Sequence, residues 1–273
     1  MKTLRQHIDE ALKIGKNLSE WSAYSCQPKT KEELQKIIKD RIRKQGNECD
    51  LNDIDTSLID DMSYLFRESK FNGDISRWNT SNTTNMRYMF AESKFNGDIS
   101  KWDTSSVEDM SYLFCESKFN GDISNWNVSN VNNMSYTFFD SKFNGDISKW
   151  DVSGVKSMSC MFFYSKFNGD ISDWDVSSVI DMSDMFNNSK FNQDISNWDV
   201  RNVENMFCMF ENSKFNQDIS KWNTSKVKNM DSMFYESKFN KDISNWKIRK
   251  DCNVINIFSY CPIKEEYKPQ LPK

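Results

Sequence analysis

FNGDISRWNTSNTTNMRYMFAESK, Phe71–Lys94, is followed at once by FNGDISKWDTSSVEDMSYLFCESK, Phe95–Lys118, and then by six further variants of the same sentence. The opening phenylalanine returns at Phe71, Phe95, Phe119, Phe143, Phe167, Phe191, Phe215 and Phe239, 24 residues apart each time and without an insertion. A fixed period of this length marks a solenoid, propeller or array, in which each unit buries its apolar face only against its neighbours. The register begins before the first full unit. Leu51, Ile54, Thr56, Ser57, Met62 and Phe66 fall in line with Ile75, Trp78, Thr80, Ser81, Met86 and Phe90. It fades where Val254, Ile257 and Phe258 replace Met230, Met233 and Phe234, so about nine turns occupy residues 50–258.

In the unit opening at Phe143, the recurring apolar residues are Phe143, Ile147, Trp150, Val155, Met158 and Phe162. Val155, Met158 and Phe162 have the spacing of one helix face, which predicts a short helix or helical turn over VKSMSCMF. Phe143, Gly145 and Ile147 alternate, which predicts a short strand in FNGDIS. A strand and a turn of helix per unit, stacked in parallel, predict an α/β repeat solenoid: a leucine-rich-repeat-like (LRR-like) rod or horseshoe. Its expected hand is right, the rule for parallel crossovers. At a strand spacing of about 4.8 Å, nine coils would span roughly 40 Å.

Stacking turns each fixed position into a column. Trp78, Trp102, Trp126, Trp150, Trp174, Trp198, Trp222 and Trp246 form a tryptophan column. Burying one such ring removes about 150–250 Å² from water, a gross gain of about 4–6 kcal/mol before ordering entropy. The Trp and Met columns are therefore read as core. Asn72 through Asn240 form an asparagine column whose amides are expected to bond one another and the turn backbone. Lys70–Lys238 and Asp74–Asp242 recur in the same way, and alternating charge is expected to offset repulsion within each column. The GGxGxD pattern of calcium-binding solenoids is absent.

The flanks differ. Residues 1–49 are expected to form a helical cap over the first coil. Leu4, Ile8, Ala11 and Leu12 sit at helical spacing; Thr30 with Glu33 makes a capping box for a second helix, with Leu34, Ile37, Ile38 and Ile42 as its apolar stripe and Gly46 as its stop. Lys31, Lys36, Lys39, Arg41, Arg43 and Lys44 cover the rest of that helix, as a docking patch or simply a solvated face. Residues 259–273, with Pro262, Pro269 and Pro272, read as an irregular tail.

Composition narrows the function classes. Net charge is −4, from 36 basic and 40 acidic residues, so no nucleic-acid partner is expected. Seven cysteines, an odd number without a CxxC pair, suggest free thiols and no zinc site. No apolar run approaches a membrane span, and the N-terminus does not read as a signal peptide. A cytoplasmic or non-classically released chain is the expectation. His7 is the only histidine and has no supporting triad, and no glycine-rich phosphate loop exists. We expect no catalytic residues, no metal and no cofactor.

The units themselves, typified by FNGDISKWDVSGVKSMSCMF (Phe143–Phe162), resemble the repeat of BspA-like leucine-rich-repeat surface proteins, roughly FN.DIS.WDVS.V..M..MF. The resemblance covers about residues 50–258. It implies an LRR-like solenoid with a binding or adhesion role and no catalytic residues; similar proteins occur in gut bacteria, mycoplasmas and some viruses, so a phage or virus origin fits too. The lead-in KEELQKIIKDRIRKQGNECDLNDID looks like that of intracellular or phage-borne relatives.

Function is expected where the repeat varies. One variable column holds Tyr64, Tyr88, Tyr112 and Tyr136, then Cys160, Asp184, Cys208 and Ser232. Two adjoining columns add Phe139, Phe163, Tyr164 and Tyr235. The candidate partner-binding residues are Tyr64, Tyr88, Tyr112, Tyr136, Phe139, Phe163 and Tyr164. They form either an exposed aromatic stripe for an unknown protein partner or ordinary packing over a helix layer. The alternative role is that of a structural or adhesive module, with the oligomeric state open.

Overall fold

The computed structural model describes residues 24–272. The expected helix around Leu4–Leu12 lies outside the described residues. Helix α1 spans Lys31–Gln45 and is held as its sequence foretells. The Thr30 hydroxyl accepts the Glu33 N–H at 3.3 Å. The Glu33 carboxylate returns to the N–H of Lys29 at 2.7 Å, one residue earlier than a strict capping box requires. Leu34 and Ile38 are buried, and Gly46, at φ 91°, closes the helix on the Ile42 carbonyl at 2.9 Å. Much of the basic surface of α1 is spent on pairing: Lys31 with Asp61, Arg41 with Asp53, Arg43 and Lys44 with Asp40.

Beyond α1 the chain winds in 24-residue coils that stack in parallel. Adjacent coils register through single parallel bridges that run Asp61, Asn85, Asp109, Asn133, Ser157, Asp181, Asn205, Asn229 and Asn253. Every coil is a succession of corners. In the type unit, Asp146 and Asp151 each take the N–H two residues ahead, Ser148 at 2.9 Å and Ser153 at 3.1 Å, and Ser165 Oγ takes Phe167 N–H at 3.1 Å. These are local side-chain turns, the arrangement Asp, Asn and Ser favour. The Asp column is thus a set of turn acceptors; among the described residues none of its members pairs within 4.0 Å with the Lys column.

Two expectations fail within the coil. VKSMSCMF is not helical: Cys160 and Tyr164 have φ of 55° and 53°, and the equivalent pair in every coil is left-handed too. Four-residue turns link them, closed by Met161 N–H to Met158 O at 3.2 Å and Ser165 N–H to Phe162 O at 3.1 Å. The intervening amides point along the stack: Met158, Cys160, Phe162 and Tyr164 donate to Asp181, Ser183, Met185 and Asn187 of the next coil at 2.8–3.0 Å. FNGDIS is not a strand either, although its alternation is real. Phe143 and Ile147 are buried and Gly145 lies between.

Spacing explains why. Equivalent rings sit 4.2–4.8 Å apart in the tyrosine column, 5.6–5.9 Å in the Phe66–Phe258 column, and 6.3–6.5 Å between the tryptophans. Coils therefore lie at sheet distance along one edge and splay apart toward the other. At the narrow edge the backbone bonds directly. Toward the wide edge such bonds are fewer, as Lys94 N–H to Ser69 O at 3.0 Å, and side chains bridge the rest of the gap. Each Trp Nε1 donates to an Ile or Leu carbonyl of the preceding coil at 3.0–3.1 Å. Each Asn Oδ1 accepts the N–H of the next Asn at 2.7–2.9 Å. The asparagine column thus bonds amide to backbone, not amide to amide. Between the edges lies a dry core of Phe, Met, Ile, Val and Trp, each at most 4 % exposed through the full repeats.

The tail is less loose than its prolines suggest. Ile263 is buried, Ile243 N–H bonds to Tyr267 O at 3.0 Å, and Glu265–Tyr267 form a single 3-10 turn.

Candidate functional site

The narrow edge carries the variable columns. Its left-handed positions hold Tyr64, Tyr88, Tyr112 and Tyr136, at φ 57–64°, a region where glycine and asparagine are at ease and tyrosine is uncommon. Each ring lies flat on the next: 4.8 Å for Tyr64–Tyr88, 4.2 Å for Tyr88–Tyr112 and 4.3 Å for Tyr112–Tyr136, within 13° of parallel. The stripe then changes column. Tyr136 meets Phe139 at 5.6 Å, Phe139 stacks on Phe163 at 5.1 Å, and Tyr164 stands edge-on to Phe163 at 4.7 Å. All seven predicted residues therefore form one unbroken run of ring contacts. Its ends are the most open, Tyr64 at 40 % and Tyr164 at 53 % exposed, while the middle five are half-buried. The rings present their edges to solvent, because their faces are spent on one another.

Cations flank the stripe, and the sequence reading passed over them. The Arg87 guanidinium lies 5.2 Å from the Tyr88 ring and 5.6 Å from Tyr112; Arg67 sits 5.3 Å from Tyr88 and Lys31 5.6 Å from Tyr64. Such contacts favour a fixed ring orientation. The only available signal was that Arg87 breaks a column otherwise made largely of serine. Burial, then the neighbouring Tyr88 hydroxyl, push the Tyr112 phenol up to about 12. Cys160 next to Tyr136, and burial, raise the Tyr136 phenol as well. The phenols are thus neutral hydrogen-bonding groups at physiological pH.

Past Tyr136 the same column becomes Cys160, Asp184, Cys208 and Ser232, and its chemistry changes from stacking to polar contact. Burial pushes the thiols of Cys115 and Cys160 up to about 12, so they remain protonated and poor nucleophiles. Burial raises the Asp184 carboxyl too, with the Glu211 charge adding to it. All seven cysteines are free. His7 lies outside the described residues, so no imidazole stands among them. No described helix is long and apolar enough to cross a membrane.

These observations define a repeat protein of stacked 24-residue coils with one variable, aromatic edge. The chain belongs to the family described as "Mycoplasma protein of unknown function, DUF285", which matches residues 33–141, 92–190 and 163–268. The three overlapping matches together take in helix α1 from Glu33 onward and the whole stack. No curated protein and no solved structure matches the chain.

Proposed function

We propose that this chain is a non-catalytic protein-binding solenoid, LRR-like in its wedge-shaped stacking and akin to BspA-like repeats, that grips a partner along the Tyr64–Tyr164 stripe. The observation that carries this reading is the coincidence of two features at one edge. The seven rings form a continuous run, and they occupy the columns the repeat leaves free to vary. Tyrosine edges combine apolar area with hydroxyls, a pairing typical of binding hot spots. The splay makes this the inner edge of the stack, so a partner lying along it touches several coils at once. Arg87 and Lys31 hold the rings in place.

The test compares wild type with a variant carrying Tyr64, Tyr88, Tyr112 and Tyr136 changed to Ser. Ser232 holds the same left-handed position in its own coil, so the backbone accepts serine there. Losing three stacked pairs costs about 0.5–1.5 kcal/mol each beyond area, so thermal melting accompanies the binding assay. A partner captured from host lysate by wild type and lost by the folded variant supports the reading. Equal capture by both removes the stripe.

A second reading, a structural or adhesive module, is favoured by the last coil. Ile255 is 62 % and Tyr260 80 % exposed there, an apolar end suited to association. Concentration-dependent sedimentation that disappears on changing both to Lys would shift the balance to that role.

A further inference from the structure

Two and three coils beyond Tyr136, the narrow edge gathers groups of a different kind. Asp184 lies in one coil, and Cys208 and Glu211 in the next. One ligand atom from each lies within 4.8 Å of the other two. Cys208 is 5 % exposed, while Asp184 and Glu211 are half-buried. Burial, and then the Glu211 carboxylate beside it, push the Cys208 thiol up.

Both carboxylates are held from behind. Asn187, 4 % exposed, donates through Nδ2 to Asp184 Oδ1 at 2.7 Å and to Glu211 Oε2 at 3.2 Å. Its own Oδ1 accepts from Asn188 Nδ2 at 2.6 Å, and Asn212 Nδ2 donates to Asn188 Oδ1 at 2.5 Å. One oxygen of each carboxylate is thereby fixed and the other left over, the relation that outer hydrogen bonds have to metal ligands. Charge points the same way. Among the described residues no Lys or Arg nitrogen comes within 4.0 Å of either carboxylate, whereas other acidic groups at this edge do pair, as Glu204 does with Lys228. The further charges acting on the cluster, Asp181 and Asp231, are also negative. Two carboxylates and a buried thiol have been brought together with no Lys or Arg nitrogen within 4.0 Å of either carboxylate among the described residues.

We propose that Asp184, Cys208 and Glu211 bind one thiophilic divalent cation of the zinc type, with water in the fourth position. One sulfur and two oxygens suit zinc, whose bonds run about 2.3 Å to sulfur and about 2.0–2.2 Å to oxygen. A soft sulfur ligand disfavours magnesium and calcium, which take oxygen donors. Small side-chain rotations close the three atoms to the roughly 3.3–3.8 Å separations of a tetrahedral site. On binding, the Cys208 S–H bond breaks, its proton passes to solvent and a metal–thiolate bond forms, with no change of oxidation state. The ion joins two coils where ring stacking has ended, so it staples this stretch of the narrow edge.

The probe is Co²⁺ titrated into the full chain under metal-free reducing conditions. The expected result is one equivalent bound with a thiolate-to-cobalt charge-transfer absorbance. That absorbance is displaced by Zn²⁺ and unaffected by excess Mg²⁺. C208S abolishes it, and Ser232 at the same register shows that serine fits the fold. C160S, one residue type and two coils away in the same column, keeps it. D184N and E211Q weaken Zn²⁺ binding at least about tenfold, and Zn²⁺ affinity rises with pH through release of the thiol proton. A folded wild type giving no charge-transfer band overturns the proposal, as does a band that survives C208S.

Discussion

The two edges of the stack solve the same problem in different ways. At the narrow edge, coils approach to sheet distance and peptide groups bond one another; at the wide edge, successive indole rings stand 6.3–6.5 Å apart and indole and amide side chains span most of the gap. The difference explains the pattern of variation in the repeat. Where side chains do the bonding, they are fixed: Asn72 through Asn240 and Trp78 through Trp246 are unbroken. Where the backbone does it, side chains are released, and Tyr, Cys, Asp and Ser succeed one another at one register.

The sharpest way to break this contrast is at the wide edge. Trp150→Ala removes a ring that is 3 % exposed and orphans the Ile123 carbonyl; a loss of about 3–5 kcal/mol is expected in urea unfolding. Trp150→Phe keeps most of the area and isolates the bond to Ile123, at about 1–3 kcal/mol. Acid should act next, through many small contributions. The carboxyls of Asp98, Asp122, Asp146, Asp170, Asp218 and Asp242 are held below the ordinary range by the serine N–H each accepts. A depressed folded pKa stabilises the fold above the unfolded value of about 3.9, and that contribution is lost as pH falls through the folded one. Melting temperature should therefore hold near neutrality and drop steeply below about pH 4. Asp-to-Asn changes at these corners, which keep the acceptor oxygen, should flatten the drop.

Asn120→Ala deprives the exposed Asn144 N–H of its acceptor and should cost about 0.5–1.5 kcal/mol by the same unfolding measurement. At the narrow edge, Tyr164→Asn should change stability by less than about 0.5 kcal/mol. Asn188 and Asn212 already hold that left-handed position, and the Tyr164 N–H bond to Asn187 belongs to the backbone. If Tyr164→Asn proved as costly as Asn120→Ala, the division of labour between the edges would not hold.

The sequence made the wide edge legible because its bonds are written in side chains. The Trp, Phe and Asn columns, helix α1 and the Thr30 cap were all readable from spacing. The narrow edge was misread as helix because Val155, Met158 and Phe162 point inward from consecutive turns at the same spacing a helix would give. Left-handed Tyr64, Glu68, Cys160 and Asp184 carry no glycine to announce them. FNGDIS alternates like a strand, yet among the described residues it pairs as a single bridge in its first copy alone, Asp74 with Asp50. The seven aromatic residues were found as variable columns, but their mutual stacking depends on a spacing the sequence does not state. Asp184, Cys208 and Glu211 stand 24 and 3 residues apart, a separation that matches no metal motif and becomes a cluster only through the coil.

The bonding of the narrow edge also gives the rod a direction. In each coil four peptide N–H groups along the left-handed stretch point toward the C-terminal end, as those of Tyr64 and Phe66 do toward Arg87 and Met89, whereas those of Thr84, Asn85 and Lys94, on either side of it, point back to Asp60 and Ser69. Along that stretch the two ends are therefore chemically unlike, as the poles of a helix are. The first coil turns carbonyls outward, and the Lys31 ammonium, held by Asp61 and Ser63, stands at that electron-rich pole. The last coil turns N–H groups outward, between the side chains of Ile255 and Tyr260. Adding or deleting a whole coil would change the length of such a rod and leave both poles as they are.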